Sequence, residues 1–304
     1  MEPRTTILGL GAAGIRTLTY LSERSPREVS LIGIDTTPAR PKAPGLDHRI
    51  ALVLLPPADG LDETGFQLSA LLQQESLEEL LDEDTSLVIL VGDLSEPLVK
   101  GTLPVIAQVV QQREIPFLLV PVTAQVPPES TLPTYFNGLL LAAGELSLAG
   151  AESAPPAEST LRACADRLEL LLEIYQPLSP AVSIDFQDLL FMLKKGRYFL
   201  LAKGMGAGPE RSEQALKQAT EQLTAVPHPA LDWKSSLILL TDGPAKPQTI
   251  GEQRKAFMAV KKFFTDRGSE LQHVKVGYAT DESLADRLSV FLLLAGQPIP
   301  RTEA

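Results

Sequence analysis

The feature that most constrains this chain is a rhythm in which strand-length apolar runs alternate with longer segments of helical periodicity. Thr5–Leu10, Val29–Ile34, Ile50–Leu55, Ser86–Val91 and Pro116–Val122 are rich in Val, Ile and Leu and are bounded by Gly, Pro or Asp. A strand with one wet face alternates polar and apolar residues, whereas an unbroken apolar run suits a strand covered on both faces, as in a parallel sheet. Between these runs, Ile15–Glu23, Phe66–Leu81 and Leu98–Gln112 carry apolar residues at helical spacing. The alternation predicts βαβ units and an open parallel sheet with helices on its faces.

Beyond Val122 the rhythm lapses. Thr123–Pro133 is proline-rich, Leu139–Leu148 is largely apolar, and Ala151–Glu158 reads as a flexible connection. Ser159–Tyr175 then predicts an amphipathic helix with the stripe Leu161, Cys164, Leu168, Leu171 and Leu172, ending before Pro177. The remainder predicts a smaller α/β domain. Its helices are Phe186–Leu193, Pro209–Leu223 and Ile250–Phe264, and its strands are Gly196–Ala202, Ser236–Thr241, Gln272–Tyr278 and Leu288–Ala295, with at least one antiparallel pair. At ~150 residues per domain, the 304 residues match two domains with ample chain for two cores.

Charge and composition remove several function classes. The 27 basic and 38 acidic residues leave a formal charge of −11, which argues against nucleic acid and, less strongly, against an anionic membrane surface. The single cysteine, Cys164, excludes an internal disulfide and a cysteine-rich zinc site, and it sits on an apolar stripe where it reads as core. The three histidines, His48, His228 and His273, show no metal-ligand spacing, so no metal is expected. No run approaches the roughly 18 apolar residues of a membrane span, and the N-terminus does not read as a signal peptide. Trp233 reads as a packing residue, and Leu77–Asp84 as a solvated helix end.

The chemistry-bearing motif is Gly9-Leu10-Gly11-Ala12-Ala13-Gly14, which follows a strand and opens a helix. Glycines at such a turn let the backbone approach a phosphate, whose charge then rests on the helix N-terminus. With Asp35 at the end of the next strand, about 20 residues on, the pattern also matches a dinucleotide fingerprint. Taken alone, the residues leave a dinucleotide, another phosphate ligand, or a tight turn with no ligand open.

Longer segments point further. ILGLGAAGIRTLTYL resembles the first phosphate loop and helix of FtsZ, the bacterial relative of tubulin, and LIGIDTTPAR resembles its second strand and ribose-side loop. GTLPVIAQVVQQREIPFLLVPVT is similar to the helix and strand after the tubulin signature. VSIDFQDLL is similar to the catalytic synergy loop, and LLAKGMGAGPERSEQALKQA to the segment after it. SSLILLTDG and HVKVGYATDESLADRLSVFLLLAG resemble the last strands, in order and spacing. The resemblance implies the tubulin/FtsZ fold: a Rossmann-like parallel-sheet GTPase-type α/β domain over 1–157, a long central helix and linker over 158–182, and a smaller mixed-sheet α/β domain over 183–304.

Against that family, the departures fall on the chemistry. The glycine-threonine-glycine signature binds phosphates through backbone N–H groups, yet its place here is taken by Ser95-Glu96-Pro97-Leu98-Val99-Lys100-Gly101. Pro97 has no N–H, Glu96 adds like charge, Leu98 and Val99 add bulk, and only Gly101 survives. Pro56–Gly65 replaces the preceding glycine-rich loop and brings in Asp59, Asp62 and Glu63. Arg162 aligns with the family's base-recognising Asp, Ala12 and Ala13 replace glycines, and Arg16 stands where an Asn is usual. The synergy loop keeps its acids as Asp185 and Asp188, with Ser183 in place of the Asn. These acids have two readings, residual catalysis in a neighbouring subunit or capping of the helix they begin.

By resemblance, the phosphate-side residues are Gly9, Gly11, Ala12, Gly14 and Gly101, the catalytic ones Asp185 and Asp188, and the ligand GTP or GDP; the departures imply equally a chain that binds neither. The expectation is an FtsZ-like cytoskeletal protein with a degenerate GTP site, weak or lost GTPase activity and head-to-tail self-assembly. It would act in the cytoplasm of a bacterium or archaeon, in division or membrane remodelling. The alternatives are an active GTPase with unusual phosphate loops, a nicotinamide-dependent oxidoreductase and a modulator of another FtsZ-type protein. With Ala304 close behind the last strand, recruitment through a long FtsZ-type tail is not expected, and no direct membrane anchor is read in the sequence.

Overall fold

The computed structural model describes residues 4–24, 29–36, 45, 47–51, 62–81, 84–122, 137–141, 157–175, 184–226 and 231–299. The chain divides into two compact units, Met1–Asp166 and Arg167–Ala304.

In the first unit the chain runs β1 (Arg4–Leu10), α1 (Gly11–Ser22), β2 (Val29–Asp35), β3 (His48–Ala51), α2 (Glu63–Leu72), α3 (Gln74–Leu80), β4 (Thr85–Gly92), α4 (Pro97–Gln112), β5 (Phe117–Pro121) and β6 (Gly138–Leu141). The strands lie in the order β3-β2-β1-β4-β5-β6, and every pair is parallel. The apolar runs are covered on both faces, as expected: Ile7, Leu10, Ile32, Ile34 and Leu87–Val91 are inaccessible to solvent. The expected helix Phe66–Leu81 is two helices parted at Gln73, whose backbone (φ −114°, ψ 17°) leaves the helical region. The expected strand Ile50–Leu55 is described only to Ala51, and the prolines of 123–133 and 151–156 lie outside the described residues.

This strand order has one reversal, between β1 and β4, from which the connections wind in opposite directions. In open α/β sheets the crevice beyond the carboxyl ends of the strands at such a reversal is where ligands bind. The turn from β1 into α1 and the turn from β4 into α4 therefore face one another across the switch point.

Helix α5 (Glu158–Tyr175) carries the boundary between the units. The second unit follows with α6 (Phe186–Lys195), β7 (Tyr198–Gly206), α7 (Arg211–Ala225), β8 (Leu231–Asp242), α8 (Ile250–Thr265), β9 (His273–Thr280) and β10 (Leu288–Pro298). Its sheet is mixed, in the order β7-β10-β8-β9: β10 is antiparallel to both neighbours, while β8 and β9 are parallel. Strand β7 is longer than its apolar run suggests and takes in Gly204 and Gly206. A Cβ on Gly204 would lie 1.8 Å from the Ala215 carbonyl oxygen, and one on Gly206 1.9 Å from that of Arg211. These glycines seat α7 directly on the strand. Among the described residues no helix is long and apolar enough to cross a membrane.

Candidate functional site

At the switch point, β1 passes into α1 with no intervening loop: Leu10 is the N-cap and Gly11 (φ +65°) turns the chain. A left-handed backbone of this kind favours glycine. Gly9 and Gly14 meet through their backbones, so a Cβ on Gly9 would lie 2.9 Å from the Gly14 carbonyl carbon. A Cβ on Gly14 would lie 2.4 Å from the carbonyl oxygen of Val91 in β4. Ala12 is exposed, and Arg16 is exposed one turn on. Gly9, Gly11, Ala12 and Gly14 are thus gathered at one strand-to-helix turn.

Across the switch point, the segment Asp93–Glu96 joins β4 to α4. Asp93 is buried, and its Oδ1 accepts hydrogen bonds from the Ser95 amide (2.9 Å) and hydroxyl (2.7 Å), a closed turn. Glu96 is the N-cap of α4, yet its side chain makes no cap hydrogen bond. It reaches instead to the α1 turn, where Oε2 lies 2.2 Å from the position a Cβ on Gly11 would take. The space that Gly11 leaves open is occupied by a carboxylate of the same chain. An approaching phosphate oxygen would meet the Glu96 carboxyl in that space and, wherever Glu96 is ionised, a like charge.

Glu96 has acidic company. Burial, then Asp93, then Asp35 push its carboxyl up from 4.5 to about 7. Asp35 is itself buried at the end of β2, where it accepts from the Thr36 amide at 2.7 Å. Among the described residues no group of three or more His, Cys, Asp or Glu is placed to hold a metal ion.

The raised Glu96 value carries a signed prediction. An acid whose folded-state pKa exceeds its unfolded value costs nothing when protonated in both states. It destabilises the fold progressively as pH rises from about 4.5 to about 7. Glu96→Gln mimics the protonated form, so its advantage over the parent is expected to be small at pH 5 and full at pH 8. Because Glu96 is partly exposed, the effect is discounted to ~1 kcal/mol, or a Tm gain of ~2–4 °C. Thermal melts of both proteins at pH 5 and pH 8 check the sign; an equal gain at the two pH values would refute the assignment.

Gly101 lies one turn inside α4. A Cβ there would lie 2.2 Å from the Glu63 carbonyl oxygen and 2.8 Å from Cβ of Phe66. What this glycine admits is α2, packed against α4. Asp62 and Glu63 begin α2, with Asp62 Oδ1 accepting from the Gly65 amide at 2.9 Å as its N-cap. Asp59 lies outside the described residues.

Arg162, which the resemblance aligns with the family's base-recognising Asp, stacks on Tyr20 of α1 at 4.4 Å and hydrogen-bonds Glu158 Oε1 at 2.7 Å. Tyr20 donates to the same oxygen at 2.9 Å, and Arg24 pairs with Asp166 one turn beyond. Arg162, then Tyr20, hold the Glu158 carboxyl below its ordinary range.

In the second unit, Asp185 is the N-cap of α6 and Asp188 its third residue, and they form a reciprocal capping box. Asp185 Oδ1 accepts from the Asp188 amide at 3.0 Å, and Asp188 Oδ2 from the Asp185 amide at 3.1 Å. Lys275 of β9 pairs with the other oxygen of Asp188 at 3.2 Å. Capping therefore engages both acids, and Ser183 lies outside the described residues. Sequence reasoning missed Lys275, which is 87 residues from its partner in the chain (275 minus 188).

Neither a family model nor a curated protein matches this chain. Solved structures do. An FtsZ mutant from M. jannaschii aligns with a TM-score of 0.71 at 17% identity, covering 97% of this chain and 91% of that one. An FtsZ dimer from the same organism, described as empty, gives 0.71 at 17% identity over 97% and 89%. A GTPγS-bound protofilament of CetZ2 from Haloferax volcanii gives 0.70 at 17% identity over 100% and 95%.

Proposed function

We propose that this chain, whose fold is that of FtsZ and CetZ, is a cytoskeletal protein that assembles head to tail with its phosphate site closed from within. The observation that carries this reading is the Glu96 carboxylate standing over Gly11 at the switch point. A polyphosphate there needs backbone N–H groups and cations. The turn offers Glu96, the buried Asp93 and Asp35, and a proline at the first position of α4. The acids of the expected synergy loop support the same view, because Asp185 and Asp188 hold one another and Lys275 rather than standing ready to orient water. Weak or lost GTP hydrolysis follows.

Assembly does not require hydrolysis. A head-to-tail contact joins two different surfaces and extends without limit when its rotation does not close. With Glu96 holding the place of a ligand, such a contact would form whether or not nucleotide is present. The resulting filaments would serve division or membrane remodelling in the cytoplasm.

Purified protein, denatured and chromatographed, is expected to release far less than one guanine nucleotide per chain. Pelleting is expected to be equal with and without GTP. Stoichiometric nucleotide, or polymer that forms only with GTP, would overturn the proposal.

A further inference from the structure

The second unit carries a cavity with no part in the Glu96 turn. Between the C-terminal ends of α7 and α8 lies an open vestibule of about 370 Å³, lined by Thr220, Glu221, Thr224, Phe263 and Arg267. Beside it is a more enclosed chamber of about 50 Å³, walled by Leu200, Leu223, Trp233 and Leu294. Thr224, Phe263 and Arg267 line both. An apolar chamber of this kind takes an apolar group in preference to water.

The vestibule is electron-rich. The Thr220 hydroxyl donates to the carbonyls of Leu216 and Lys217 at 2.9 Å, and the Thr224 hydroxyl donates to that of Thr220 at 2.8 Å. With their hydrogens spent within α7, both oxygens offer other groups acceptors only. Glu221 adds a carboxylate, held loosely by Lys217 at 3.9 Å. Phe263 adds a ring face, and two helix C-termini add the negative ends of their dipoles.

Arg267 shows what such a lining holds. Its guanidinium lies 3.6 Å from the centre of the Phe263 ring. It donates to the Phe263 carbonyl at 3.2 Å and to the Thr224 hydroxyl oxygen at 3.0 Å. The side chain is exposed, so another cation displaces it at little cost.

We propose that this cavity binds a small organic monocation with a compact, branched apolar end. The apolar end enters the chamber beside Trp233, and the ammonium takes the place of the Arg267 guanidinium over Phe263 and beside Thr224, with Glu221 at the rim. An anion would gain one exposed pairing with Arg267, but it would meet Glu221, two helix C-termini and a chain of net charge −11. The site lies wholly within the second unit and is independent of the head-to-tail reading.

Trp233 is the only tryptophan of the chain and is 3% exposed, so its fluorescence reports on the chamber it lines. Titrating the full chain with isoamylamine at constant ionic strength is expected to give a saturable change in the millimolar range. Isoamyl alcohol and isocaproate carry the same branched end without the charge or with the opposite one, and are expected to give little. Arg267→Gln removes the internal competitor and is expected to tighten amine binding ~3-fold, whereas Glu221→Gln is expected to weaken it ~3-fold. Both residues are exposed, so neither change threatens the fold. Phe263→Leu keeps an apolar wall but removes the ring face, and is expected to weaken binding ~5-fold. The absence of a saturable change in the wild type would overturn the proposal, as would an equal or larger response to the alcohol or to isocaproate. Weaker amine binding in Arg267→Gln would overturn it too, because the arginine would then serve the ligand rather than compete with it. So would amine binding that none of the three variants alters, which would place the amine elsewhere on the acidic surface.

Discussion

Replacing Arg211 with alanine is expected to cost about 3–5 kcal/mol and lower the Tm by ~10 °C, the cost of breaking a buried ion pair from one side. Arg211 is fully buried at the start of α7. Its Nε and Nη2 bind the two Glu252 oxygens at 2.8 and 3.2 Å. Nη1 donates to the carbonyls of Lys246 (2.7 Å) and Asp286 (3.1 Å), and Nη2 also to that of Pro247 (3.2 Å). The guanidinium thus ties α7, the segment leading into α8, and the turn before β10. Glu252 serves twice, because its Oε2 also accepts from the Thr249 amide at 2.8 Å in the capping box of α8. Lysine has no planar fork to reach these acceptors, so Arg211→Lys is expected to recover little. Replacing both Arg211 and Glu252 by apolar residues removes the unpaired charge but strands the three carbonyls, so it too is expected to fall well short of wild type. The pair also sets a pH limit. Arg211 first, then the Thr249 bonds, hold the Glu252 carboxyl down from 4.5 to about 2. An acid with a depressed folded-state pKa contributes stability above its unfolded value and loses it as pH falls, here between about 4.5 and 2. Acid denaturation of Glu252→Gln should lose that part of its pH dependence; an unchanged profile would remove the pair from the account.

The architecture was legible because burial on two faces writes itself into composition. An unbroken run such as Leu87–Val91 has few alternatives to a covered parallel strand, and the alternation with helices then dictates the sheet. The ends of elements were less legible. Gly204 and Gly206 look like a loop by type and are strand, because what they admit is the backbone of α7, a neighbour whose approach no local pattern announces. Gly101 is the same case: as the last glycine of a phosphate signature it suggests a ligand, and it lies against α2. Asp185 and Asp188 were readable as acids at a helix start, and i to i+3 spacing is itself the capping-box signal. Glu96 was legible as an unwelcome charge, but not as a side chain turned back onto Gly11. That contact joins residues 85 apart in the chain (96 minus 11) and depends on the reversal of winding between β1 and β4.

Of the glycines at the α1 turn, Gly14 is the one whose replacement is expected to do the most damage. Gly14→Val should cost about 3 kcal/mol, at the upper end for overpacking, because the first added carbon falls 2.4 Å from a carbonyl oxygen of β4. A flexible side chain could step aside at that distance, but Val91 is a central, fully buried strand residue held by ladders to β1 and β5. Helix α1 must therefore retreat from the sheet, and Gly9, 2.9 Å from the same carbon, would have to move with it. Ala12→Val is the matched control. It sits on the same turn and belongs to the same glycine motif, yet it is exposed, so its cost is expected to stay within about 0.5 kcal/mol. Urea melts of the two variants separate two origins of the motif. If the glycines survive only as the relic of a phosphate loop, both substitutions are tolerated alike. If Gly14 is kept by the distance between helix and sheet, the two differ by about 2 kcal/mol or more. Retreat of α1 also carries Gly11 away from Glu96. The carboxylate then gains water and loses the burial that raises its pKa, so the Gly14 variant should also show a smaller benefit from Glu96→Gln at pH 8 than the parent does.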